Sequence, residues 1–311
     1  MRIAVFGTGG AGGYYGARLA QAGEDVTFIA RGEHLRAIRE HGLRVDSING
    51  DFVLQAAQAT NDPGQVGKVD VVILGVKAWQ VPEAAQAMGP LLGPGSVVVP
   101  LQNGVETPDQ LAAVLGRNHV FGGLAKIFSS IIGPGHLRHV GGPTSVVFGE
   151  LDNRPSKRAE ELRMVFARAG IGAEIPPDIH VALWEKLLFI APFGGVGAVT
   201  HAPIGIVRTL PETRRMLEKG MREIFDVGRA RKIQLDDNVV DRTMVFTDSQ
   251  PPAGTASMQR DIIAGRPSEL EAWNGAVVRL GQQANVATPL HAFLYHSLLP
   301  LELRARGQLK F

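Results

Sequence analysis

The first thirty-one residues restrict this chain more than any other stretch. The apolar run Arg2-Ile3-Ala4-Val5-Phe6 leads into Gly7-Thr8-Gly9-Gly10-Ala11-Gly12, and a second apolar run ends in Thr27-Phe28-Ile29-Ala30-Arg31. That order reads as strand, glycine turn, helix and strand, the opening of a dinucleotide-binding unit. Gly7 permits the turn off the strand, Gly9 lets bare backbone approach a pyrophosphate, and Gly12 lets the helix lie close on the strand. The helix N-terminus then holds the anion. In a chain with 38 glycines the G-x-G-x-x-G string says little by itself. Its weight comes from the preceding strand, the helical spacing of Tyr14, Ala17, Leu19 and Ala20, and the strand beyond Gly23.

The end of the second strand bears on the cofactor. A unit that binds NAD usually carries Asp or Glu there for the ribose hydroxyls, whereas this chain has Arg31-Gly32, with Arg36 and Arg39 following and Glu33 past the usual position. A guanidinium can grip a 2′-phosphate in a bidentate way. The expected cofactor is therefore NADPH, with Arg31 as its main contact beside Gly7, Gly9 and Gly12.

At 311 residues, 45% of them hydrophobic, the chain suits two domains with sizeable cores. A net charge of +2, with neither Lys/Arg runs nor interleaved aromatics, gives no reason to expect nucleic acid as a partner. The absence of cysteine excludes disulfides and thiolate chemistry and fits a reducing compartment. The five apolar residues before the glycines are too few for a signal peptide's core, and no stretch approaches a membrane span. The expectation is a cytoplasmic protein acting on a small molecule, with no membrane partner and its oligomeric state left open.

Further along, Leu43-Arg44-Val45 and Phe52 to Ala56 flank Asn49-Gly50-Asp51, a hairpin signal. Val69 to Val76 is an apolar run with one acid, as a parallel strand buried on both faces requires. Lys77 at its carboxyl end, and Gln80 one turn on, face the ligand crevice of a doubly wound sheet. A helix from Pro82 to Leu92 and a strand from Ser96 to Leu101 lead to Asn103, whose amide can bond the nicotinamide ribose, its carboxamide or a substrate oxygen. Val120 to Gly123 and Ser145 to Gly149 read as antiparallel additions at the sheet's edge, and Pro155 to Ala169 as an amphipathic helix.

Pro176-Pro177 marks the expected boundary, with a Rossmann-type nucleotide-binding domain over 1–176 and an all-helical domain over 177–311. Its first helix runs through Trp184, Lys186 and Phe189 and is bent or interrupted at Pro192 and Gly194-Gly195. A second opens at Pro211 with Leu217, Met221, Ile224 and Phe225 inward, and a third at a capping box, Ser268-Glu269-Leu270-Glu271. Asp248 to Pro267 reads as a long functional loop.

The chain has no closely spaced His pair of metal-ligand type, no G-x-S-x-G elbow and no G-x-x-x-x-G-K-[ST] loop. A nicotinamide enzyme needs instead a donor that protonates the new alkoxide while hydride arrives on carbon. Lys186 lies in the apolar stretch Leu183 to Ile190, where a merely solvated lysine is out of place and where burial lowers its pKa.

Five segments resemble the ketopantoate reductase family (2-dehydropantoate 2-reductase): the glycine turn with Arg31, Val76-Lys77-Ala78-Trp79-Gln80, Gln102-Asn103-Gly104-Val105, Leu183-Trp184-Glu185-Lys186, and Ser257-Met258-Gln259-Arg260-Asp261-Ile262 with Gly265 to Glu271 and Asn274-Gly275. Ala287-Thr288-Pro289 also fits, so the resemblance covers the whole chain. It implies NADPH-dependent reduction of ketopantoate to pantoate in pantothenate biosynthesis. It also implies Lys186 as general acid, Glu269 bonding the substrate hydroxyl or the lysine, Ser257 on the substrate carboxylate, and Lys77 and Asn103 at the cofactor–substrate junction. From the residues alone, Glu269 is equally a helix-dipole partner.

One departure concerns the substrate. The family places asparagines four and eight residues after the lysine, on its helical face. Here those positions hold Ile190 and Gly194, which makes the expected substrate pocket more apolar. Two rival readings stay open: a reductase of a more apolar oxo acid, and a non-catalytic NADPH-binding sensor.

Overall fold

Alternating strands and helices in the first half build a parallel sheet, and the change to purely helical spacing after Pro177 builds a separate bundle. A computed structural model describes residues 1–311 and divides them into two units, Met1–Gln102 with Thr107–Ile179, and Asn103–Glu106 with His180–Phe311. The division falls at Ile179, three residues beyond the Pro176-Pro177 step, and the short segment after Gln102 is grouped with the helices.

The first unit contains β1 (Arg2–Phe6), α1 (Gly10–Gln21), β2 (Asp25–Ile29), α2 (Gly32–His41), β3 (Leu43–Ser47), β4 (Phe52–Leu54), β5 (Gln58–Thr60), β6 (Val69–Leu74), α3 (Val81–Ala87), β7 (Leu92–Pro100), α4 (Thr107–Leu115), β8 (Phe121–Gly133), β9 (His136–Glu150), α5 (Lys157–Arg168) and β10 (Gly172–Glu174). Its parallel sheet has the order β5-β2-β1-β6-β7, so the strand order reverses beside β1. Phe6 is in register with Ile29 on one side and Leu74 on the other. The carboxyl ends of β1, β2 and β6 therefore share one edge, the ligand-binding edge of a doubly wound sheet, and carry Gly7, Arg31 and Lys77.

The β8–β9 hairpin is not an addition to that edge. It belongs to a second sheet, β10-β9-β3-β4 with β8 beside β9, and a single bridge, Val98 to Val120, reaches the parallel sheet. The physical reason lies in what β9 packs against. Val146 and Phe148 are buried in the same cluster as Leu162, Val165 and Phe166 of α5, with the Phe148 and Phe166 rings 5.7 Å apart. The hairpin at Asn49-Gly50 forms as read, pairing Leu43 with Leu54 and Val45 with Phe52. β5 has no legible signal in its three residues.

The second unit contains α6 (Ile179–Thr200), α7 (Ile204–Thr209), α8 (Pro211–Ala230), α9 (Val239–Ser249), α10 (Ser257–Ile263), a π-turn (Glu271–Gly275), α11 (Ala276–Gln283) and α12 (Pro289–Ala305). Its core includes Trp184, Leu187 and Leu188 of α6 with Leu217, Met221 and Ile224 of α8, while Phe225 is only partly buried. The stretch from Asp248 to Pro267 is not all loop, since α10 occupies its second half.

Contrary to the expected break, α6 runs unbroken for 22 residues through Pro192. Pro192 sets its ring against α8 at Gly220, where an added Cβ would come within 3.0 Å of the proline. Packing against α8 thus accompanies a helix that continues through a residue that removes one of its hydrogen bonds. Also contrary to expectation, α6 has the length and hydropathy of a membrane span, but 67% of its most apolar window is buried inside the protein.

The capping box at Ser268 does not form either. The Ser268 N–H lies 3.1 and 3.0 Å from the two carboxylate oxygens of Glu302 on α12, and its hydroxyl donates to the same group at 2.5 Å. A buried carboxylate from elsewhere in the chain takes the place of Glu271, which faces outward on the π-turn.

Candidate active site

Each unit is built around its own set of the expected site residues. In the first unit Gly7 takes φ +95°, and a Cβ on it would meet the Val76 nitrogen at 2.6 Å. A Cβ on Gly12 would lie 2.5 Å from the Gly7 carbonyl oxygen, so only glycine lets α1 approach this closely. α1 starts at Gly10 with no side-chain cap and no acid in its first turn. Its first N–H groups and positive dipole end thus lack a protein anion, which suits a phosphate.

Arg31 stands at the N-cap of α2 with its guanidinium exposed, Nη2 3.1 Å from Glu83 Oε1 on α3. Arg36 pairs with Glu33, and Arg39 donates to the Ala59 carbonyl at 2.9 Å. Every arginine near the expected 2′-phosphate position therefore has a protein partner already. Lys77 is half-buried, its Nζ 5.8 Å from the Trp79 ring. Gln80 spends its Oε1 on the Lys77 N–H at 3.2 Å, which holds the turn after β6. Gln102, which the sequence reading passed over in favour of Asn103, is buried and donates to the carbonyls of Leu74 (2.9 Å) and Val76 (2.8 Å). It ties the strand end that carries Lys77.

In the second unit the organising element is α6. Lys186, Ile190 and Gly194 recur at one-turn intervals on one face. Lys186 and Ile190 are half-buried, whereas Gly194 is buried. A Cβ at Gly194 would lie 2.9 Å from Trp273 Cζ3 and 3.0 Å from Met258 Cε. This corrects the expectation that Gly194 lines a pocket: the space an asparagine would need is filled by an indole ring and a thioether.

The next glycines receive two amides. Gly195 admits Asn274, whose Nδ2 donates to the Ala191 carbonyl at 3.2 Å. Gly197 faces Gln259, which accepts the Ala256 N–H at 3.2 Å and donates to the Ala202 carbonyl at 3.0 Å. Bare backbone on α6 thus seats both α10 and the π-turn. Met258 follows Ser257 directly, and the Trp273 N–H bonds the Glu269 carbonyl at 3.0 Å. Packing on α6 therefore brings the segments that carry Ser257 and Glu269 to the helix that carries Lys186. Glu269 is 6% exposed, and its chain neighbours are fixed: Ser268 by Glu302, and the Leu270 N–H by the Ser268 hydroxyl at 3.2 Å. Asn103, half-buried, sits on the segment grouped with this unit. Among clusters of His, Asp and Glu none has the arrangement of a metal site.

Residues 3–153 match the family model described as ketopantoate reductase PanE/ApbA, and residues 178–302 match the model of its C-terminal part. The chain belongs to the ketopantoate reductase family. Its fold, a Rossmann-type sheet followed by a helical domain, is the one found in that family's solved structures. A 2-dehydropantoate 2-reductase of Nostoc sp. is 31% identical over 99% of this chain and 98% of its own. The solved 2-dehydropantoate 2-reductase of Geobacter metallireducens is 32% identical, with a TM-score of 0.90 over 96% of this chain and 99% of that one. A solved complex of D-mandelate dehydrogenase with NADH is 25% identical, with a TM-score of 0.87 over 97% and 99%. As a ketopantoate reductase family member the protein is an oxidoreductase, which removes the sensor reading. Trp273 had no functional signal in the sequence, because an aromatic at helical spacing reads as ordinary packing, and Met258 and Gln259 stood out only as part of the segment that carries the resemblance.

Proposed function

We propose that this enzyme reduces a 2-oxo acid to the corresponding 2-hydroxy acid with NADPH, and that ketopantoate is its foremost substrate. The observation that carries the reading is the seating of the Ser257 and Glu269 segments on the helix that bears Lys186. The uncapped, acid-free start of α1 beside Gly7 and Gly12 fits a dinucleotide pyrophosphate. When bound, the nicotinamide supplies hydride. The Lys186 ammonium polarises the substrate carbonyl and protonates its oxygen as that becomes an alkoxide. Ser257 holds the substrate carboxylate by its hydroxyl. Glu269 accepts from the substrate hydroxyl or from Lys186, and Lys77 and Asn103 hold the substrate against the cofactor. A panel of 2-oxo acids followed by NADPH absorbance tests the reading, and no turnover with any of them would overturn it.

Cofactor choice rests on Arg31. NADPH is expected to bind more tightly than NADH, and Arg31→Ala to remove most of a difference on the order of 1 to 3 kcal/mol. Because the phosphate must displace Glu83, Glu83→Gln should tighten NADPH binding and leave NADH unchanged. Equal dissociation constants for the two cofactors in the unaltered protein would contradict the assignment.

A second reading, a more apolar oxo acid, is favoured by Ile190 and by the closure of Gly194 beneath Trp273. The likeness to D-mandelate dehydrogenase, whose name implies an aromatic hydroxy acid, points the same way. A pocket that bonds a substrate hydroxyl rejects analogues lacking it, because its own polar groups are left unpaired. With the two amides absent, kcat/KM for ketopantoate should exceed that for a 2-oxo acid of similar size without the 4-hydroxyl by less than roughly 10²-fold. Ile190→Asn should widen the gap. A preference of 10⁴-fold or more in the unaltered enzyme would place hydroxyl recognition on other groups.

A further inference from the structure

Asn103 follows the last strand of the parallel sheet, yet the segment Asn103–Glu106 is grouped with the helical unit. Three features tie it there. Gly104 takes φ +106° and lies so close to the π-turn that a Cβ would come within 2.9 Å of the Ala272 carbonyl oxygen. Val105 packs on the core of the helical unit. Glu106, the one charged residue of the segment, is held by Arg279 of α11, with Nη2 at 2.6 Å from one carboxylate oxygen and Nε at 3.4 Å from the other. The pair is partly shielded, at 39% and 26% side-chain exposure.

Arg279 is itself held. Its Nη1 donates to Glu271 of the π-turn, and the other oxygen of Glu271 accepts the Tyr295 hydroxyl of α12 at 2.6 Å. Burial first, and then the Glu271 carboxylate, push the Tyr295 pKa up to about 12, so this phenol stays a donor at any working pH. The guanidinium thus spans two carboxylates from two chain segments in a fixed fork, which a lysine ammonium cannot reproduce.

We propose that Arg279 is a positioning residue of this enzyme: through Glu106 it fixes the segment that presents the Asn103 amide. The inference rests on the reading of Asn103 under Proposed function. An Asn-Gly segment with a left-handed glycine has wide conformational freedom, and an amide must be held within a fraction of an ångström to serve a reacting group. The Arg279 fork supplies that restraint without touching substrate or cofactor.

The test uses the full-length protein as Arg279→Met, Arg279→Lys, Asn103→Ala and the Asn103→Ala/Arg279→Met pair. NADPH oxidation with ketopantoate, thermal melting, and amide hydrogen exchange of the peptide spanning residues 103–106 are followed. Arg279→Met should lower kcat/KM by about 10-fold or more and speed exchange in that peptide while leaving exchange in α6 unchanged. Arg279→Lys should recover part of the loss. In the Asn103→Ala background the Arg279→Met change should have little further effect, since coupled residues give non-additive losses. Unchanged exchange in the 103–106 peptide, or losses that multiply independently, would overturn the proposal. If no protein, unaltered included, turns over ketopantoate, the substrate reading fails, and the exchange measurement still decides whether Arg279 anchors the segment.

Discussion

Lys186→Ala is expected to lower kcat by roughly 10²-fold or more while NADPH binding changes little, because a positioned general acid contributes about that factor and the pyrophosphate is held elsewhere. Lys186 lies in the middle of α6, and two of the segments that pack against that helix, α10 and the π-turn, bring Ser257 and Glu269 with them. Truncating the side chain removes the proposed proton source and leaves the packing at Gly194, Gly195 and Gly197 untouched. The loss should therefore fall on the chemical step, with the melting temperature close to that of the unaltered protein. Single-turnover NADPH oxidation beside an equilibrium measurement of NADPH binding separates the two. Turnover near the original rate would move the proton donor elsewhere, with Lys77 next in line.

A second large effect is expected far from the chemistry. Glu223→Ala should destabilise the helical unit by about 3 to 5 kcal/mol, since each buried donor left without its acceptor costs about 1 to 3 kcal/mol. Glu223 on α8 accepts the N–H groups of Leu290 and His291 at 2.8 and 3.0 Å and the His291 Nδ1 at 2.8 Å, all buried. The carboxylate thus caps α12 from another helix, and alanine leaves three donors unpaired.

Burial alone would push the Glu223 carboxyl up, but the bonds from the His291 ring and from the two N–H groups outweigh it and hold the group below the usual carboxylate range. A lowered folded-state pKa means that the unfolded chain binds the proton more readily. The stabilisation is therefore complete above the ordinary carboxylate pKa of about 4.3 and fades as pH falls through the folded-state value. The difference between the unaltered protein and Glu223→Ala should shrink in the same direction. Urea unfolding followed by Trp184 and Trp273 fluorescence measures both, and a cost under about 1 kcal/mol at pH 7 would mean that water replaces the carboxylate.

The parts of this fold that depend on local spacing were legible in the sequence. The glycine turn, the buried strands and the amphipathic face of α8 each follow from a period that neighbouring residues set. What failed depended on distant partners. Pro192 and Gly194-Gly195 read as breakers because their own propensities disrupt helices, and only Gly220, Trp273 and Asn274 explain why α6 continues. Ser268-Glu269-Leu270-Glu271 read as a capping box because Glu271 is three residues on, whereas the Ser268 N–H is taken by Glu302, 34 residues away. The same limit applied at the site. Lys186, Ser257 and Glu269 were singled out by resemblance and residue chemistry, but Arg279 and Gln102 act through long-range bonds that leave no local trace.

The glycine stripe of α6 also concentrates where this enzyme can change. Of the positions that recur along the face of Lys186, 194 is closed by Trp273 and Met258, and a substitution there would displace the π-turn and α10 at once. Position 190 already carries a side chain: Ile190 is half-buried and packs at the margin of the helical unit's core. Natural drift or directed evolution toward new oxo acids should therefore accumulate at 190 long before 194, and a library that randomises both should return glycine at 194 among its folded members while accepting many residues at 190.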